Sequence, residues 1–402
     1  MVGPGAASFG DEERAQVLDV LQSGHLSRFG DLNDPRFKHK VFDLEREFAA
    51  FCGAQHAVAT NSGTSALLVS LQALGIGEGD EVLVPGFTYV ATYAAIVHAR
   101  AVPVLVEIDE SLTIDPKDLE RKVTDKTKAV IAVHMLGNPC DMDAVTAAAN
   151  RHGLHVIEDA CQAAGASFRG RRVGSLGTLA AFSFNRYKVM SAGEGGMVTT
   201  SDPSLYERAF AIHDQGHTPL RSGKTQTNPS LIGQNLKMNE LTGAVALAQL
   251  RKLDGILVAL RERKKLLRSL IDDVEGVNPR RLNDDGECAT FLTSVFDDRA
   301  HAASTAALLG VEPLSKTGWH NYRNMDHIRD HRTYRPGWSA RSRFAQPGDL
   351  PRTDDLLSRS VNVAVGVSDN GLGSGFGITV RSTPEEIANV ARRFSEAIRS
   401  GR

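Results

Sequence analysis

The stretch Leu179-Ala180-Ala181-Phe182-Ser183-Phe184-Asn185-Arg186-Tyr187-Lys188, closed by Gly193-Glu194-Gly195-Gly196, decides how the rest of the chain is read. Its apolar run describes a strand buried on both faces, and its glycines describe a turn. The strand delivers one serine and one lysine to its own edge. A lysine that loses solvent there becomes a weaker base, and its free amine becomes a usable nucleophile. The serine stands where a hydroxyl can hold a phosphate. A solvated surface lysine is the plainer reading, and the flanking sequence has to decide between them.

Upstream, short apolar runs alternate with helical patterns. Strands are expected at His56 to Thr60, Glu81 to Val84, Pro103 to Val106, Lys128 to Val133 and Leu154 to Ile157. Helices are expected at Thr64 to Leu74, Tyr89 to Ala99 and Met142 to Arg151. Continuous Val/Ile/Leu strands alternating with helices predict an α/β fold, a mostly parallel central sheet with helices on both faces. Ligands of such sheets sit at the carboxyl ends of the strands. After Thr200 the pattern changes: helices at Pro203 to His213 and from Asn239 to about Leu270 precede a less regular, polar third. The long helix is expected to cross from a large unit to a smaller one. The polar run His320 to Arg343 reads as a surface or substrate-side loop. The glycine-dense stretch Gly371 to Gly377 does not match a dinucleotide fingerprint.

Three further stretches carry chemistry. Asn61-Ser62-Gly63-Thr64-Ser65-Ala66 joins a strand to a helix, whose free N–H groups can hold a phosphate without a basic side chain. Gly63 permits close approach and Thr64 adds a hydroxyl; an ordinary helix cap is the alternative. Val156-Ile157-Glu158-Asp159-Ala160-Cys161-Gln162 ends a strand in a carboxylate. Aimed at a pyridine nitrogen, Asp159 keeps it protonated, with Gln162 free to donate to the ring 3-oxygen; a capping aspartate is the alternative. Pro85-Gly86-Phe87-Thr88-Tyr89 offers an aromatic ring, Tyr89, to stack on a flat cofactor or to fill a core. Each signal is weak alone. A phosphate turn, a stacking aromatic, a strand-end aspartate and a strand-end lysine occur in the order that a pyridoxal 5′-phosphate (PLP) site on one sheet requires.

Composition excludes several other classes. The chain has 402 residues and a formal net charge of −2, which gives no electrostatic footprint for nucleic acid or an anionic membrane. Cys52, Cys140, Cys161 and Cys288 are scattered without CxxC spacing, so neither a metal site nor a disulfide framework is expected. The most apolar window, Val82 to Ile108, is interrupted by Pro85, Gly86, His98, Arg100 and Pro103, which a bilayer span does not tolerate. No export signal is visible. A cytoplasmic protein is the expectation.

The chain resembles the DegT/StrS family of keto-sugar aminotransferases. SGTSAL, GDEVLVPGFTYVAT, VIEDACQAAGA, FSFNRYKVMSAGEGG and NLKMNELTGAVALAQL occur in family order between about Gly24 and Leu250. The resemblance implies a fold-type I PLP-transferase, with a large PLP-binding domain over 1–250 and a small C-terminal α+β domain over 251–402. The N-terminal segment is expected to pack on the small domain. Lys188 resembles the Schiff-base lysine and Asp159 the pyridinium partner. Gln162 would contact the ring oxygen, Tyr89 would stack on the ring, and Gly63, Thr64 and Ser183 would hold the phosphate. Asn235 resembles the residue supplied to a neighbour's phosphate pocket, which implies a homodimer with shared sites. Lys237 stands where the family usually has arginine, Ala164 where histidine is frequent, and Tyr187 where a small residue is common.

The implied activity is amino transfer from glutamate or glutamine to a keto-sugar or cyclitol ketone, in amino-sugar, aminocyclitol or antibiotic biosynthesis. His213, Gln215, His320, Tyr322 and Arg323 are candidates for substrate contact. Two alternatives remain at this stage: a sugar dehydratase of the same fold, and a non-catalytic carbohydrate-binding or regulatory relative. The dehydratases replace the anchoring lysine with histidine, so Lys188 speaks against the first. No expected cofactor contact is missing except at the arginine-to-lysine change of Lys237, which speaks against the second.

Overall fold

A computed structural model describes residues 3–31, 33–219, 231–330, 332 and 346–402. Nine strands form in the first half of the chain. They are β1 (His56–Thr60), β2 (Glu81–Pro85), β3 (Val102–Val106), β4 (Thr127–Val133), β5 (His155–Asp159), the short hairpin β6 (Ser167–Phe168) and β7 (Arg171–Arg172), β8 (Leu179–Ser183) and β9 (Gly196–Thr200). Seven of them make the central sheet, in the order β1-β9-β8-β5-β4-β2-β3. The helices Gly63–Ala73, Val90–His98, Pro116–Lys122, Met142–Arg151 and Pro203–His213 alternate with the strands. Apolar clusters lie on both faces of the sheet, as the unbroken apolar strands required.

Every pairing within the central sheet is parallel except those of β9, which runs antiparallel to both β1 and β8. The sequence pattern did not single out this strand. Its direction follows from its connection: residues 184–195 carry no helix, and a parallel return needs a crossover of a dozen or more residues, usually helical. The chain therefore turns back beside β8, pairing Ser183 with Gly196.

The second unit is a three-stranded antiparallel sheet of β10 (Val277–Pro279), β11 (Phe291–Phe296) and β12 (Ser360–Ala364). Helices Arg299–Leu309 and Pro384–Ser400 cover it, with Phe296, Ala306, Val363, Phe394 and Ile398 in a core of their own. The 30-residue helix Glu240–Ser269, about 45 Å long at 1.5 Å per residue, links the two units. Asn239 caps its start by accepting the Thr242 N–H at 2.9 Å. Its Leu247, Leu253, Leu257 and Leu260 pack with the large sheet, and Leu267 packs in the smaller core. Phe291, Leu314, Tyr322, Leu350 and Leu372 join the main core, so the units share apolar surface. The N-terminal segment lies on the long helix: Gln249 Nε2 donates to Glu13 Oε1 at 2.7 Å and Lys252 Nζ to the Ser8 carbonyl at 2.7 Å. Among the described residues no helix is long and apolar enough to cross a membrane.

Candidate active site

A cavity of about 460 Å³ opens at the carboxyl ends of the central strands, in the size range of small-molecule sites. Strand register assembles its floor. Gly196 pairs with Thr60 of β1 on one side and Ser183 of β8 on the other. Asp159, the last residue of β5, lies opposite Ala181 of β8. The turn after β1, Ser183 and the strand-end carboxylate therefore converge although they are far apart in sequence.

The turn after β1 opens the helix Gly63–Ala73. Ser62 caps it by accepting the Ser65 N–H at 3.1 Å, so this hydroxyl has a structural task, while Thr64 is exposed into the cavity. Gly63 is buried against β8: a Cβ there would stand 2.6 Å from Ser183 Cβ and 3.1 Å from Cys161 Sγ. The close approach leaves the first N–H groups of the helix beside the Ser183 hydroxyl. We expect Gly63→Ala to cost about 1–3 kcal/mol of stability and to weaken PLP binding, since the added methyl must push the serine away. Denaturant unfolding and a PLP titration check both.

Asp159 is 5% exposed. Its Oδ2 accepts the Thr92 hydroxyl at 2.7 Å, and its Oδ1 accepts the Cys161 N–H at 3.1 Å. Gln162 Oε1 accepts the Leu136 N–H at 2.9 Å, which fixes the amide orientation and leaves the NH2 group free to donate. Lys188 follows β8 in a turn closed by its own N–H to the Asn185 carbonyl at 2.9 Å. From outside, Gly3 N–H donates to the Arg186 carbonyl at 2.9 Å and Gly5 N–H to the Lys188 carbonyl at 3.3 Å. The ammonium lies 6.0 Å from the centre of the Tyr89 ring, and both line the cavity.

The second unit supplies the opposite wall. Segment 319–322 pairs with 86–90: Thr88 N–H donates to the His320 carbonyl and Val90 N–H to the Trp319 carbonyl, each at 2.9 Å. The His320 ring stands 5.2 Å from that of Tyr89, and its Nδ1 is 3.2 Å from the Gly371 carbonyl. A carbonyl only accepts, so Nδ1 carries the proton and Nε2 presents a lone pair. Burial, together with the positive charge of Lys188, pushes this imidazole down to about 3 from an ordinary value of 6.5. The unfolded chain therefore takes up a proton below pH 6.5 that the folded chain refuses until about 3, so His320 costs stability as the pH falls through that window. Buried His213, held well below its ordinary value by burial and by Arg28, acts in the same direction. We expect His320→Gln to lose less Tm than the parent between pH 7 and pH 5.

Eight of the sequence candidates line one cavity: Gly63, Thr64, Tyr89, Asp159, Gln162, Ser183, Lys188 and His320. Four of the substrate candidates are not among its walls. His213 is sealed in the core: its Nε2 accepts from Arg28 Nη1 at 2.8 Å and its Nδ1 donates to the Phe210 carbonyl at 2.5 Å, while Arg28 pairs with Glu45. Tyr322 is fully buried and its hydroxyl accepts the Leu350 N–H at 3.2 Å. Arg323 points to Asp354, 3.3 Å away. Gln215 is not a wall of the cavity either; its N–H is held by the Gln234 carbonyl. Asn235 is exposed outside this chain's own cavity. Lys237 pairs with buried Asp214 at 2.6 Å, Ala164 is buried, and Tyr187 lines the cavity. Of the run 320–343, residues 331 and 333–343 lie outside the described residues.

Thr88, Thr92, Trp319, Asp369, Gly371 and Leu372 are also walls of the cavity, beyond the candidates legible in the sequence. The two threonines, four positions apart at a helix start, carried a readable signal: that spacing puts them on one face. The other four are brought in by long-range packing and carried none.

The sequence pattern of the DegT/DnrJ/EryC1/StrS aminotransferase family matches residues 8–367. The chain is 45% identical over 246 residues to dTDP-3-amino-3,4,6-trideoxy-alpha-D-glucose transaminase of Streptomyces venezuelae, spanning 61% of this chain and 61% of that protein. It is 39% identical over 269 residues to L-glutamine:2-deoxy-scyllo-inosose aminotransferase of Streptoalloteichus tenebrarius, spanning 65% of this chain and 62% of that one. Among solved structures it is similar to 3-amino-5-hydroxybenzoic acid synthase, with a TM-score of 0.82 at 28% identity over 98% of this chain and 97% of the other. The chain belongs to the DegT/DnrJ/EryC1/StrS aminotransferase family, whose members are PLP-dependent enzymes.

Proposed function

We propose that this chain transfers an amino group from glutamate or glutamine to a ketone on a sugar or cyclitol ring, as a cytoplasmic homodimer that completes each phosphate pocket with Asn235 of the partner subunit. The observation that carries the reading is the convergence of Lys188 and Asp159 in one cavity with the Gly63–Ser183 cradle. The residues present fit PLP. The close contact at Gly63 leaves helix N–H groups and the Ser183 and Thr64 hydroxyls for a phosphate. Each oxygen of Asp159 accepts one described hydrogen bond and keeps a lone pair for a ring N–H. Bound PLP supplies an electron sink that makes the donor's Cα–H acidic.

The chain's own residues do the rest. Lys188 Nζ would hold the cofactor covalently until the amino donor displaces it. The freed amine would then move the proton between Cα and the cofactor's C4′, and would reverse the transfer when the ketone is bound. Asp159 would keep the ring nitrogen protonated, and Gln162 would offer its NH2 group to the ring oxygen. Tyr89, which lines the cavity, would cover one face of the ring. His320 Nε2, without a partner among the described residues, accepts a substrate hydroxyl, and the exposed face of Trp319 packs against the apolar face of the ring. The names of the relatives support both a nucleotide-linked sugar and a free cyclitol as substrate.

The test is a panel of nucleotide-linked keto-sugars and cyclitol ketones offered to PLP-loaded protein with glutamine or glutamate. Amine formation on one member is expected, with 2-oxoglutarate or its amide released. Loss of water without gain of nitrogen, or no turnover on any member, counts against the reading.

A further inference from the structure

We propose that Thr92, backed by Thr88, is a positioning residue that orients Asp159. The proposal rests on the reading of Asp159 as the partner of the cofactor's ring nitrogen. Thr92 Oγ1 donates to Asp159 Oδ2 at 2.7 Å, and Thr88 Oγ1 lies 2.7 Å from Thr92 Oγ1. Both threonines are fully buried and both line the cavity. Proton counting sets the direction of this chain. A threonine hydroxyl has one proton, and that of Thr92 is spent on the carboxylate. Thr88 must therefore be the donor in the second bond, so both hydroxyls are polarised toward Asp159. Hydrogen bonds in series strengthen one another, most of all where water is excluded.

Both ends of this chain are fixed. Thr88 is seated by its N–H on the His320 carbonyl, and Thr92 lies one turn on, in the helix Val90–His98. At the other end the Cys161 N–H holds the second carboxylate oxygen. With a donor on each oxygen the carboxylate plane cannot rotate freely. Among the described residues Asp159 has no ion-pair partner, so the donors that hold it are neutral. Neutral donors stabilise the anion without cancelling its charge, and that charge stays available to the ring nitrogen. A lysine or arginine in place of Thr92 would consume it.

The test uses the full-length apo-protein titrated with PLP, read as Kd and as the absorption band of the bound cofactor. Thr92→Val keeps the shape and removes the donor. It should raise Kd at least about tenfold and shift the band, as expected for loss of a hydrogen bond to a charged group. Thr92→Ser, which restores the hydroxyl, should return Kd to within about twofold of the parent, and Thr88→Val should fall between the two. Parent-like affinity and spectrum in Thr92→Val, or failure of serine to repair them, overturns the proposal. A parent protein that binds no PLP overturns instead the reading of the site, and this inference falls with it.

Discussion

Lys188→Ala is expected to lower kcat by at least about 10⁴-fold, because on the proposed mechanism one amine would serve both as the covalent anchor and as the acid–base group that moves the proton. Among the described walls of the cavity Lys188 is the only amine, so no neighbour can take over either task. The variant should still fold and still bind PLP. The Lys188 ammonium makes no hydrogen bond or ion pair among the described residues, and the phosphate cradle, Asp159 and Gln162 are untouched. The expected phenotype is therefore a folded protein whose cofactor washes out on dialysis against an excess of competing phosphate. Steady-state kinetics and cofactor content after dialysis check the two parts. Turnover within tenfold of the parent would mean that another group carries the reaction.

Asp159→Asn is expected to lower turnover by on the order of 10²-fold or more, and PLP affinity with it. The side chain keeps its shape, yet two things change. The amide has no negative charge to hold a proton on the ring nitrogen. Its NH2 group also replaces an oxygen that now accepts from either the Thr92 hydroxyl or the Cys161 N–H, so one of these buried donors loses its partner. A cofactor analogue with a permanent positive charge on the ring nitrogen should restore part of the turnover, since it carries the charge that the aspartate otherwise maintains. Equal loss with PLP and with the analogue would assign Asp159 a merely structural role.

What was legible in the sequence was whatever local pattern and strand order determine. The apolar runs at His56–Thr60 and Leu179–Ser183 became β1 and β8, and the carboxyl-end rule then put Gly63, Asp159, Ser183 and Lys188 on one edge of the sheet. The direction of β9 was not legible from composition; it follows from a connection without a helix. The second wall was hidden for a different reason. Trp319, His320 and Gly371 reach the cavity only because backbone bonds to residues 86–90 dock the smaller unit there, across more than two hundred positions of sequence. Two failures also have long-range causes. Tyr322 sits in a polar run, yet Gly86 leaves room for its ring, since a Cβ there would meet Tyr322 Cδ1 at 3.3 Å. His213 looked available at a helix end because its pairing with Arg28 spans 185 residues.

The most direct measurement is borohydride reduction of the PLP-loaded protein followed by proteolysis and mass mapping. The account predicts one phosphopyridoxyl group per chain, on the peptide that carries Lys188, and none on the Lys188→Ala variant. A label on any other lysine, or a chain that takes up none, would contradict it.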